Sequence, residues 1–76
     1  MNNNRRERLK RALSLLESAE SIVSAALDEE QDCLDNVPES LQDTDRYEKM
    51  ELAVEKLEEA IESIDEAKES VEEAAL

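Results

Sequence analysis

The chain has 76 residues, no glycine, one proline and a single aromatic residue, Tyr47. Twenty-two acidic side chains against nine basic ones leave a net charge of -13, which repels nucleic acid and anionic membrane from the molecule as a whole. A chain this short buries a limited fraction of its surface, and a composition rich in Glu, Ala, Leu and Ser excludes a sheet protein and points to long helices. The apolar residues are too regularly placed for disorder.

Met1 to Asn4 forms a polar lead-in, any asparagine of which can cap a helix starting near Arg5. The helical pattern then runs to about Asp35. The segment from Asn36 to Asp43 breaks it. Asn36 suits a left-handed C-cap, Pro38 disfavours helix at Val37, and Pro38 can open a short turn over Glu39 to Leu41. Asp43 or Thr44 caps a second helix that runs to about Ala75. The expected fold is therefore all-α, one domain over residues 1–76, with helices over about 5–35 and 44–75 and a turn over 36–43.

The second helix carries a heptad seam, with Tyr47, Met50, Val54, Leu57, Ile61, Ile64, Lys68, Val71 and Ala75 at alternating spacings of three and four. Beside it runs a ladder of small residues, Ala53, Ala60, Ala67 and Ala74. The first helix repeats the scheme, with a seam from Leu9 through Leu13, Leu16, Glu20, Val23, Leu27 and Glu30 to Leu34. Its ladder is Ala12, Ala19, Ala26 and Cys33. Folded antiparallel about a point near residue 43, the ladders pair Ala12 with Ala74, Ala19 with Ala67, Ala26 with Ala60 and Cys33 with Ala53. The breaker segment lies at that point. Small side chains allow close helix approach, so the pattern predicts an antiparallel two-helix hairpin with an Alacoil-like seam.

Polar residues interrupt this seam. The same register puts Glu20 level with Lys68 to within a turn, and a pair there would fix alignment more than it stabilises. Leu15, Ile22 and Ala25 lie outside the seam and widen the apolar surface beyond what one hairpin contact covers. Assembly of two hairpins into a four-helix bundle is the expected remedy, as a homodimer or with an unidentified protein partner.

No catalytic, cofactor or metal site is expected. The run Asp28 to Asp35 lacks the alternating ligands and glycine of a calcium loop, and without histidine there is no Glu-x-x-His di-iron motif. Cys33 falls in the small-residue ladder, which predicts a buried, inert thiol. The one cysteine suits a reducing compartment. No stretch reads as a signal peptide or a membrane span, so the expected location is the cytoplasm. Arg5, Arg6, Arg8, Lys10 and Arg11 hold five of the nine basic residues. The hairpin would set them beside Glu66, Glu69, Glu72 and Glu73, each group offsetting the other's unfavourable helix dipole.

The segment Asp35-Asn36-Val37-Pro38-Glu39-Ser40-Leu41-Gln42, followed by Arg46-Tyr47-Glu48 and the heptads Ala53-Val54 to Ala60-Ile61, resembles a group of small acidic proteins of Firmicute bacteria and their prophages or other mobile elements. The resemblance implies a bacterial or phage origin and a helical hairpin, and it adds no site residues. The expected function is a non-enzymatic interaction module that presents helix faces to protein, with no direct nucleic-acid or membrane binding. The alternative is an acidic, nucleic-acid-mimicking inhibitor of a host nucleic-acid-binding protein, encoded by a mobile element.

Overall fold

Asn2 starts the first helix. Its side-chain oxygen accepts the Arg5 amide at 2.8 Å, satisfying one of the N–H groups that a helix start leaves free. The computed structural model describes residues 1–76: α1 spans Asn3–Asp35, a 3-10 turn covers Glu39–Leu41, and α2 spans Asp45–Ala74. The cap selects the first of the three asparagines, so α1 begins at Asn3, two residues before the expected start near Arg5.

The end of α1 departs from the expected left-handed cap. Asn36 has φ -95°, and no residue of the chain has positive φ. Instead the Asn36 side-chain amide donates to the Asp32 carbonyl at 2.7 Å, and its backbone N–H reaches the same oxygen at 3.2 Å. With that carbonyl satisfied by the side chain, a left-handed residue is not needed, and Pro38 carries the chain away in an extended conformation (φ -59°, ψ 145°).

Thr44 caps α2. Its hydroxyl accepts the Tyr47 amide at 3.2 Å and donates to the Leu41 carbonyl at 2.8 Å. One hydroxyl thus ties the short turn to the helix it introduces, while Asp45 and Glu48 complement the dipole in the first turn. Thr44→Ala removes both bonds; a loss of about 1 kcal/mol of stability, read as a lowered urea midpoint with unchanged slope, is expected.

The two helices pack as an antiparallel hairpin. All of the expected seam positions from Leu9 to Leu34 and from Tyr47 to Ala75 are half-buried or buried. Only Val54, 7% exposed, is fully inside. The molecule is a rod, 59 × 15 × 13 Å, with a radius of gyration of 17.3 Å against about 11 Å for a compact domain of this length.

Around the seam the two helices behave differently. In α2 the half-buried flank is the heptad ladder Ala53, Ala60 and Ala67. In α1 burial repeats every eleven residues: Leu9, Glu20 and Gln31 form one row and Ala12, Val23 and Leu34 another. An undistorted helix drifts about 20° per heptad against a strict 3.5 repeat, and an eleven-residue spacing follows that drift. α1 therefore turns slowly along its partner. Near the open end it offers Ala12 and Ala19, and nearer the turn it offers Ser24 and Gln31.

This rotation corrects part of the expected seam. Ala26 and Cys33 are exposed, and so is Ala74 at the end of α2. The small-residue strip is covered over Ala12, Ala19, Ala53, Ala60 and Ala67 only. Cys33 is correspondingly an exposed free thiol rather than a buried one.

Candidate interaction surface

The polar centre of the hairpin is the contact between Lys68 and Glu20. Lys68 Nζ donates to Glu20 Oε1 at 3.2 Å, and Asp65 Oδ1 lies 3.9 Å from the same nitrogen. The two side chains are 22% and 24% exposed. The hydrogen bond to Glu20 is the main cause holding the Lys68 ammonium above its ordinary pKa. Desolvation opposes it, and the charges of Glu20, Asp65 and Glu17 add to it. This is the pair that the ladder register brings level, and the one ion pair that joins the two helices.

The other ion pairs are local. Lys10 meets Glu7 at 3.2 Å and Lys56 meets Glu59 at 3.0 Å, both three residues apart and well exposed, where such pairs contribute little. The Lys56 pKa is raised by its hydrogen bond to Glu59 and then by that residue's charge.

The basic cluster does not pair with the acidic end of α2 as expected. None of Arg5, Arg6, Arg8, Lys10 or Arg11 lies within 4.0 Å of Glu66, Glu69, Glu72 or Glu73. With Glu20 beside Lys68, the last residues of α2 are level with about Ala12. The first two turns of α1 consequently extend past the end of α2, and four of those five basic side chains are exposed, with Arg6 half-buried.

Two of the exposed large apolar side chains share one flank of α1; the others, Leu52 on the outer face of α2, Leu41 in the turn, and Met1 and Leu76 at the ends, stand apart. Leu15 is 60% and Ile22 71% exposed. They sit seven residues apart and interleave at spacings of three and four with Ala12, Ala19 and Ala26. α1 thus carries a second seam on the flank next to its first. Ala25 is also exposed outside the first seam, on the solvent side of this strip. On α2, Lys56, Ser63 and Ser70 are exposed and interleave in the same way with Ala53, Ala60 and Ala67.

The opposite flank is acidic. Glu51, Glu58, Asp65 and Glu72 form one row of α2, and Glu48, Glu55, Glu62 and Glu69 form the next; all are exposed. At the closed end a 490 Å³ groove runs between Cys33, Val37, Leu41, Tyr47 and Met50, with Arg46 also lining it. Sequence reasoning missed this groove, although Tyr47 at the first seam position and an unassigned Leu41 are the signal for it.

No helix is long and apolar enough to cross a membrane, and no three His, Cys, Asp or Glu side chains gather as a metal site. Compared with protein families, curated proteins and solved structures, the chain has no significant match. What the geometry itself defines is a helical hairpin with one apolar and one acidic flank.

Proposed function

We propose that this chain is a non-enzymatic protein–protein interaction module that acts in the cytoplasm by presenting helix faces. The observation that carries the reading is the exposed ridge of Leu15 and Ile22 on a long, regular helix. Large aliphatic side chains held in line on one helix flank are the anchors by which helices dock into bundles and grooves. A hairpin with a single buried side chain also stands to gain stability from any partner that covers this flank, by mass action. Capture of protein partners on immobilised wild-type chain, with the Leu15→Glu, Ile22→Glu double variant alongside, tests it. Partners should bind the first and not the second. Equal capture by both would refute the apolar flank as the functional face.

The two exposed rows of carboxylates on α2 support a second reading. They line a straight helix about 45 Å long and resemble a rod of phosphate charge. On this reading the chain is an inhibitor of a host nucleic-acid-binding protein, encoded by a mobile element. Its binding to a basic host protein should fall steeply between about 50 and 200 mM salt, and nucleic acid should compete. Packing on the apolar flank should persist over that range.

A further inference from the structure

We propose that the apolar flank is covered by a second copy of this chain, in a two-fold dimer whose axis runs parallel to the helices, with both turns at the same end and α1 of each copy against α2 of its partner. The inference rests on the interaction-module reading and names its partner. The row containing Leu15 and Ile22 continues at seven-residue spacing as Glu29. The matching row of α2 is Lys49, Lys56, Ser63 and Ser70, of which Lys49 lies past the end of α1 in the hairpin register. In the register set by Glu20 and Lys68, Leu15 is level, within a turn, with Ser70, Ile22 with Ser63, and Glu29 with Lys56. A two-fold axis along the helices keeps these levels and exchanges the partners. Each large side chain of one copy then faces a small one of the other, and each acid faces a base.

Charge points the same way. A chain of net charge -13 has every reason to stay apart from its copies. Yet along the length that the two helices share, Glu29 and Lys56 are the only charged residues on this flank, and they have opposite signs. The carboxylate rows of α2 lie on the other side and would remain in water. Glu29 makes no ion pair within the chain, and Lys56 spends its charge only on an exposed neighbour, Glu59. The flank runs along a rod 59 by 15 Å, large enough for the roughly 800 Å² per partner of a stable interface. An opposite-end arrangement fits less well. It stacks Leu15 on Ile22 of the other copy while Ser63 meets Ser70, so the two halves of one interface would need different separations, whereas facing large with small packs both at one spacing.

The wild-type chain should elute with a light-scattering mass twice its 8.6 kDa. Leu15→Glu with Ile22→Glu should give the single mass with its helicity intact, because both side chains are exposed in the hairpin. Glu29→Lys and Lys56→Glu should each weaken the dimer about tenfold, and the two together should recover most of that loss. Spin labels on Ser40→Cys, in a Cys33→Ser background, should lie within about 30 Å of each other, the width of a four-helix bundle with its labels. Turn labels separated by nearly the full length of the rod would overturn the arrangement while leaving the face in use. A wild-type monomer at millimolar concentration, or a dimer indifferent to the Leu15 and Ile22 substitutions, would overturn the second copy as the occupant. If that monomer still captures other proteins through Leu15 and Ile22, the interaction-module reading survives and only the self-association is lost.

Discussion

Val54→Asp is expected to abolish the cooperative unfolding transition of the hairpin. Val54 is the one side chain shielded from water, at the middle of a seam whose other members are half-covered. A domain of this size has a total stability of roughly 4–11 kcal/mol at the usual value per residue, and its thin core puts it at the low end of that range. An unpaired carboxylate at this position costs about 3–5 kcal/mol, and the surrounding acids add repulsion. Val54→Ala, which removes two carbons, should cost only about 1–2 kcal/mol and leave a measurable transition. The readout is a thermal melt followed at 222 nm. Some helical signal will persist in the Asp variant, because chains of about 30 residues retain partial helicity alone. The sharpness of the melt therefore decides the matter. A Val54→Asp melt as steep as wild type, within a few degrees of its midpoint, would show that the seam is not centred on this residue.

Lys68→Glu should be the next most damaging change, and it should be reversible by a second substitution. It sets a carboxylate against Glu20 at the position where Lys68 now donates at 3.2 Å, with Asp65 and Glu17 close by. The melting temperature should fall by roughly 5–10 °C, and Glu20→Lys in the same chain should restore most of it, since the pair is then merely reversed. Replacing both residues with leucine is the sharper experiment. A half-buried ion pair seldom outperforms apolar packing of similar volume, so Glu20→Leu with Lys68→Leu should equal or exceed wild-type stability while allowing the helices to slide. Cross-linking between cysteines placed at Ala19 and Ala67 should then compete with pairings one turn away. If the leucine variant keeps a single register, the ion pair is not what sets alignment.

The pair also carries a pH dependence with a definite sign. The Lys68 pKa is raised above the ordinary lysine value of 10.5, first by its bond to Glu20. Its contribution is complete below that value and disappears as pH rises through the elevated one. Wild type should therefore lose stability above about pH 10.5 relative to the double-leucine chain, in melts compared at equal ionic strength.

The flank of Leu15 and Ile22 was visible as residues left over once the first seam was assigned. Ala25, three residues after Ile22, is exposed outside the first seam as well, on the solvent side of the strip that Leu15 and Ile22 form with the alanines. The pairing expected of the basic cluster failed. Its charge is plain in the sequence, but the ladder register that pairs Ala12 with Ala74 already sets Glu66 to Glu73 level with residues 20 to 13, beyond the reach of Arg5 to Arg11.

What the sequence by itself determined is the set of elements, the point where the chain folds back and the level at which Glu20 meets Lys68. Capping residues, a proline and the three-and-four spacing of apolar side chains are short-range signals, and two four-rung ladders of equal period pair all their rungs at one fold point. Only the tertiary structure decided how α1 rotates along α2, bringing Ser24 and Gln31 inward and leaving Ala26 and Cys33 in water. The physical reason is that a two-helix seam pulls weakly. Whether a helix coils to keep its heptad against a neighbour or follows its own 3.6-residue twist depends on the packing gained from that neighbour. That balance exists only once both helices are in place.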